Sequence, residues 1–300
     1  MTKTVLLFSG QGSQYPGMGE GLVSGDPAAY EPIFKTGSEI LGFDLKKTMF
    51  NAPAEELSRT EISQPAIFTM SLLCAEKYRR EGGDFGAVAG HSLGEYAAMV
   101  VSGMVDLATG YTLIKKRAAC MEKAAKKNGG KMAAVLTPNT ELVEMACTGL
   151  RLTGSYVTPV NYNSTQQTVI AGSADGVDKA TALLLEKGVK RVVPLAVAAA
   201  FHSDFMKEAS VEFYEAIRDT VFAAPTVKFY SNVLGGELTD FSDLPTLLAR
   251  HICSPVRFTD ELRAMEKDGF TSFVECGPGK TLVGFVKKTL DGVETTAMDA

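Results

Sequence analysis

The residues best suited to covalent chemistry in this chain are one serine in a glycine frame and three histidines. Ser92 sits in Gly90-His91-Ser92-Leu93-Gly94, after the short apolar stretch 85–89 and before an amphipathic helical pattern. Strand, sharp turn and helix in that order make a G-x-S-x-G nucleophile elbow, which lifts a serine hydroxyl clear of the backbone. Gly90 and Gly94 suit such a crowded turn because they carry no Cβ. The Leu93 amide and the positive end of the following helix would lie beside the hydroxyl, where an oxyanion develops.

A serine hydroxyl is a weak nucleophile until a base takes its proton. His91 adjoins Ser92 in the turn, so its side chain is expected to point elsewhere. His202, in Ala200-Phe201-His202-Ser203-Asp204, ends a long apolar segment and precedes a helix. It is favoured as the base over His251, a helix residue near Pro255. A positioned base contributes about 10²–10⁴-fold in rate. Gln11 follows the first strand and suits a second backbone donor opposite Leu93; losing one such donor costs on the order of 3–4 kcal/mol. Nucleotide patterns fail. Gly10-Gln11-Gly12 lacks a third glycine, and Gly277-Pro278-Gly279-Lys280-Thr281 has Val274 where a phosphate loop needs its first glycine.

The elements around these residues alternate. Strand patterns at 4–8, 85–89, 226–231 and 271–275 are separated by helical ones, including 65–78, 106–127, 204–220, 244–253, 259–268 and 280–289. Such alternation implies a mostly parallel sheet with its site at the carboxyl ends of strands. The loops after Phe8, Ala89 and Glu275 and the segment before His202 are expected to share one cleft. After Asn128-Gly129-Gly130 the order becomes strand 132–136, helix 139–148, strand 157–161, strand 167–171, helix 173–187, strand 189–194. That is the ferredoxin-like split βαβ order. The expectation is an α/β protein: a large, hydrolase-like catalytic domain from 1–128 and 197–300, resuming near Ala198, with a small ferredoxin-like subdomain, 129–196, inserted in it.

Composition excludes several classes. Of 300 residues, 30 are basic and 35 acidic, with no like-charge block, which argues against nucleic-acid binding. The first ten residues hold too short an apolar run for a signal peptide, and 194–201 is too short to span a bilayer. Cys74, Cys120, Cys147, Cys253 and Cys276 are scattered, with no C-x-x-C pair. They read as reduced thiols in a cytoplasmic protein, not as a metal or disulfide framework.

Taken together, Phe8-Ser9-Gly10-Gln11-Gly12-Ser13-Gln14, Gly90-His91-Ser92-Leu93-Gly94-Glu95, Lys116-Arg117-Ala118, Asn161-Tyr162-Asn163-Ser164, Phe201-His202-Ser203, Ser254-Pro255-Val256-Arg257-Phe258 and Glu275-Cys276-Gly277-Pro278-Gly279 run the length of the chain in order. The chain resembles the malonyl-CoA:acyl-carrier-protein transacylases and the acyltransferase domains of fatty-acid and polyketide synthases. The resemblance implies that Ser92 forms an acyl-enzyme ester, that His202 is its base, and that the Gln11 and Leu93 amides form the oxyanion hole. It implies that Arg117 binds the free carboxylate of a malonyl group, a pairing suited to a guanidinium fork. By itself Arg117, after Lys115-Lys116, reads as a solvated helix charge. Asn161, Phe201 and His251 join the implied substrate-binding set, with Phe201 going with malonyl over methylmalonyl. Relatives often carry Gln at the position of His251, and there the backbone carbonyl orients the catalytic imidazole.

The implied reaction is ping-pong. Malonyl-CoA acylates Ser92, and the phosphopantetheine thiol of an acyl-carrier protein then removes the acyl group. No bound cofactor or metal is implied, and a monomer is expected. Lys115, Lys116, Lys123, Lys126, Lys127 and Lys131 are candidates for docking an acidic carrier protein. A serine thioesterase, a trans-acting acyltransferase with another acyl preference and a non-catalytic domain of the same fold are the alternatives. Fatty-acid and polyketide synthesis both fit.

Overall fold

The computed structural model describes residues 3–197 and 199–299; Ala198, the expected point of return to the large part, lies outside the described residues. Ten strands are described: β1 (Thr4–Phe8), β2 (Ala87–Gly90), β3 (Lys131–Leu136), β4 (Val157–Ser164), β5 (Gln167–Gly172), β6 (Arg191–Pro194), β7 (Lys228–Ser231), β8 (Gly236–Glu237), β9 (Ser272–Cys276) and β10 (Glu294–Ala297). The helices are α1 (Glu20–Ser24), α2 (Pro27–Leu41), α3 (Leu45–Asn51), α4 (Ala54–Leu57), α5 (Thr60–Arg80), α6 (Gly94–Val101), α7 (Leu107–Asn128), α8 (Thr140–Leu152), α9 (Ala174–Glu186), α10 (Lys207–Ile217), α11 (Leu244–Ile252), α12 (Phe258–Lys267) and α13 (Thr281–Thr289).

Six strands form the main sheet in the order β10-β9-β1-β2-β7-β8, parallel throughout except for the antiparallel β7–β8 edge. Successive side chains of a strand face opposite sides. Val5 and Leu7 accordingly join one core with Ala87, Ala89 and Phe273, against Phe258, Leu262 and Phe285. Leu6 and Phe8 join the other with Val88 and Val274, against α5 and α6 residues such as Phe68 and Tyr96. Burial on both faces is why these strands read as unbroken apolar runs.

The second sheet, β4-β5-β3-β6, is antiparallel, with α8 and α9 as its crossovers. This is the ferredoxin-like arrangement beside an α/β sheet. Ala133, Val135 and Ile170 pack on Val143, Cys147, Val177 and Leu184 of those helices. Met132, Ala134 and Val169 face the other way, into a cleft shared with the main sheet. Sequence reasoning missed β8 and β10, one two residues long and the other threonine-rich and half exposed. It ended β4 three residues early and began the helix after His202 too soon, where a 3₁₀ turn, Asp204–Met206, comes first.

The elbow is tightly packed against its own backbone and the end of β1. A Cβ on Gly90 would stand 2.0 Å from the Gly94 carbonyl carbon, and one on Gly94 would stand 2.1 Å from the Phe8 oxygen. Gly149, in contrast, is exposed in α8 with nothing within 4 Å of an added Cβ. Gly90→Ala is therefore expected to destabilise by about 2–4 kcal/mol or abolish folding. Gly149→Ala should stabilise by roughly 0.5–1 kcal/mol. Urea denaturation of the two variants checks both signs.

Candidate active site

Ser92 stands between β2 and α6 with φ 54°, a left-handed conformation that costs a non-glycine residue on the order of 1–3 kcal/mol. Surrounding bonds hold it there. The Ser92 amide donates to Asn232 Oδ1 at 2.7 Å, the Gly94 amide to the His91 carbonyl at 3.0 Å, and Asn232 Nδ2 to the Gly90 carbonyl at 2.6 Å. His202, 110 residues away in sequence, is likewise left-handed, at φ 59°.

The two side chains meet: Ser92 Oγ lies 2.7 Å from His202 Nε2. His202 Nδ1 faces two backbone carbonyls, His251 at 3.0 Å and Ser254 at 3.1 Å. Carbonyls only accept, so Nδ1 carries the proton and Nε2 presents a lone pair to the serine hydroxyl. Burial, and then the nearby Arg117 charge, lower the His202 pKa to about 3. The imidazole is neutral at neutral pH, as a base must be.

Arg117 is 1% exposed, not solvated as its lysine neighbours suggest. Its Nη2 donates to Ser92 Oγ at 2.9 Å and its Nη1 to Gln64 Oε1 at 2.8 Å, while Nε has no acceptor among the described residues. Both partners are neutral oxygens. The guanidinium lies 5.4 Å over the Tyr96 ring. Gln64 also reaches Gln11, whose Oε1 accepts from Gln64 Nε2 at 3.4 Å. Neither the Gln11 nor the Leu93 amide donates to a protein acceptor among the described residues.

A cleft of 580 Å³ opens over Ser92 between the two sheets. Ser9–Gln14, His91, Ser92, Phe201 and His202 line it from the large part, with Thr281 and Leu282 of α13. Asn161, Asn163, Val169, Val193 and the 195–197 connection line it from the other side. The loops after β1 and β2 and the segment before His202 thus share one cleft. The loop after β9 does not line it; the helix that follows, α13, does, through Thr281, Leu282 and Phe285.

An acyl transferase domain model matches residues 5–299. The chain belongs to the acyl transferase family. The malonyl CoA-acyl carrier protein transacylase of Bacillus subtilis (strain 168) is 37% identical over 298 residues, covering 99% of this chain and 94% of its own. The crystal structure of MCAT from Streptococcus pneumoniae superposes with a TM-score of 0.92 at 37% identity, covering 98% of this chain and 95% of that one. A type II PKS acyl-carrier protein in complex with its malonyl-transacylase gives 0.92 at 31% identity, over 99% and 95%.

Not every expected residue of this acyl transferase touches the cleft. Ser92, His202, Gln11, Phe201 and Asn161 line it. Leu93 and Arg117 stand behind its wall, Arg117 reaching Ser92 Oγ from there. His251 is fully buried beneath the elbow, and its side chain lines no part of the cleft. A direct substrate contact from that side chain is therefore corrected: only its carbonyl reaches the site, through His202 Nδ1. His91 does turn aside, its Nε2 meeting Asn163 Oδ1 at 2.7 Å.

The six lysines considered for docking are all engaged. Lys123, Lys126, Lys127 and Lys131 pair with Glu212, Glu122, Glu208 and Asp178. Lys115 and Lys116 donate to the Ile40 and Ala216 carbonyls. Gln64 and Asn232 escaped sequence reasoning. Neither carries a local signal: Gln64 stands beside Ser63 in a helix that holds several other polar residues, Thr69 and Ser71 among them. No helix among the described residues is long and apolar enough to cross a membrane.

The lowered His202 pKa has two consequences. Above pH 6.5 the imidazole is neutral in both folded and unfolded chains. Between about 6.5 and 3 the unfolded chain binds a proton that the folded chain refuses, so this group costs stability as pH falls through that window. The acid limb of kcat/KM for Ser92 acylation should lie well below pH 6.5. Acylation rates read by intact mass from pH 5 to 8 check this; a fall centred near 6.5 would contradict it.

Proposed function

We propose that this chain is an [acyl-carrier-protein] S-malonyltransferase: it moves a malonyl group from malonyl-CoA to the phosphopantetheine thiol of an acyl-carrier protein through a Ser92 ester. One observation carries the reading. A buried guanidinium with only neutral partners touches the oxygen that a base is set to deprotonate. A buried cation without an anion is costly and is relieved by a ligand that brings one. An acyl group ending in a carboxylate supplies that anion beside the reacting carbonyl. Arg117 exchanges Ser92 Oγ for the two carboxylate oxygens, and the serine oxygen is released for attack.

In the first half-reaction His202 Nε2 takes the hydroxyl proton as Oγ bonds to the malonyl carbonyl carbon. The oxyanion is received by the Gln11 and Leu93 amides. The carbon–sulfur bond breaks, and the CoA sulfur leaves as a thiolate that takes the proton back from His202. The carrier protein's thiol then reverses the sequence. Two carbonyls behind Nδ1 stabilise an imidazolium less than a carboxylate would. That suffices here, because a thiolate leaves far more readily than an amide or alkoxide ion and is a strong nucleophile.

This chemistry needs no metal, and the phosphopantetheine arm belongs to the carrier protein. The relatives, a malonyl CoA-acyl carrier protein transacylase and a malonyl-transacylase bound to its acyl-carrier protein, support malonyl-CoA and acyl-carrier protein as substrates. One chain supplies every group in the set, which supports a monomer. We place the enzyme in the cytoplasm, in fatty-acid or polyketide synthesis. We also assign 1–128 and 197–300 to the catalytic domain and 129–196 to the inserted subdomain, a division supported by the two separate sheets. Phe201, buried at the cleft wall, is assigned to restrict α-substituents of the acyl group, with Asn161 binding substrate opposite it.

Mixing with malonyl-CoA should add one malonyl group to the wild type by intact mass and none to Ser92→Ala. Arg117→Ala should lose most of its preference for malonyl over acetyl, a change of about 100-fold or more in the ratio of acylation rates. An unchanged ratio would remove the carboxylate from Arg117.

A further inference from the structure

Beneath the elbow lies a polar cluster that touches no part of the cleft. Asn232 and His251 are fully buried there, as is Glu261, and Glu95 is 2% exposed. Asn232 is at its centre. Its Nδ2 donates to the Gly90 carbonyl at 2.6 Å and to Glu261 Oε1 at 2.7 Å, which fixes the amide's orientation. Its Oδ1 therefore faces the two remaining partners, the Ser92 amide at 2.7 Å and His251 Nε2 at 3.1 Å. An amide oxygen only accepts, so His251 carries its proton on Nε2.

The same two residues lead to the base. The backbone carbonyl of His251 accepts from His202 Nδ1. From one oxygen atom, one bond thus runs to the main chain of the serine. Another runs to the side chain of the residue whose main chain aims the imidazole. We infer that Asn232 is a positioning residue that sets the distance between Ser92 Oγ and His202 Nε2, with His251 as its second arm. This rests on Ser92 and His202 being nucleophile and base.

The surrounding charges are consistent with a rigid, neutral device. Glu95 Oε1 accepts the Asn232 amide at 2.5 Å, and Oε2 lies 3.4 Å from His251 Nδ1. Burial raises the Glu95 pKa to about 8 and pushes that of Glu261 well up, while it pushes those of His251 and His91 down. His251 Nδ1 has no hydrogen-bond partner among the described residues. Arg117 is then left as the formal charge against Ser92.

Two acyl donors test the inference in the full chain: malonyl-CoA, and p-nitrophenyl acetate, which needs neither Arg117 nor a carrier protein. With the second, Oγ bonds to the acetyl carbon and p-nitrophenolate leaves with the electrons of the broken carbon–oxygen bond. The serine proton passes to His202. Asn232→Ala should slow acylation by both donors ~30–300-fold, while the malonyl-CoA KM stays within about threefold. His251→Phe should slow both ~10-fold, and His251→Gln, which restores an N–H donor toward Asn232, should recover to within about threefold of wild type. A purely structural role would lower the melting temperature and leave these rates unchanged.

Folded Asn232→Ala acylated at the wild-type rate would overturn the inference, as would His251→Phe matching wild type. If Asn232→Ala does not fold, the His251 pair decides. A wild-type enzyme that takes no malonyl group on Ser92 would instead overturn the proposed function; p-nitrophenolate release then still reports on Asn232.

Discussion

The rest of the structure depends on a contact between stretches of backbone. Where β2 turns into α6, the chain passes so close to itself and to the end of β1 that neither glycine of the elbow has room for a Cβ. This approach throws Ser92 into a left-handed conformation and presents its hydroxyl to the cleft. The strain is sustained because the turn is bonded on all sides, from β1 through the His91 amide to Asn232 in the turn just after β7. A looser turn would relax, and the oxygen would drop out of reach of an imidazole that arrives from another part of the chain.

The second organising fact is a charge inventory. Beneath and beside the serine lie two glutamates, three histidines and one arginine, all buried except His91, which is half-buried at the cleft wall. Burial favours the uncharged form of every one of them, and only the guanidinium is basic enough to stay ionised regardless. The site therefore holds a fixed cation in a neutral setting of low polarity. There a carboxylate is worth far more than in water, and a plain acyl group gains nothing.

Much of this was legible in the sequence, for local reasons. The elbow announces itself through two glycines and a serine between an apolar run and a helix. The inserted subdomain shows through its strand–helix–strand–strand–helix–strand order. His202 could be singled out because histidines are few and it stands at the end of an apolar segment. Arg117 could not, because its depth comes from the packing of α7 against α5 and α10, which no nearby residue reports. Asn232 was invisible for a similar reason: an asparagine after a short strand is an ordinary turn residue until its six bonding partners are seen in place. The edge strands β8 and β10 lack the apolar signal because an edge needs little of it.

The imidazole's anchors carry a consequence for how this enzyme tolerates change. In a Ser–His–Asp arrangement, one codon change deletes the group that steers the histidine. Here that duty falls to two peptide oxygens, at His251 and Ser254, and every amino acid has one. A saturation scan of those two positions would probe only their side chains. The lone-pair acceptors themselves are genetically silent, erased by nothing short of an insertion or deletion that shifts the 251–254 segment along its track.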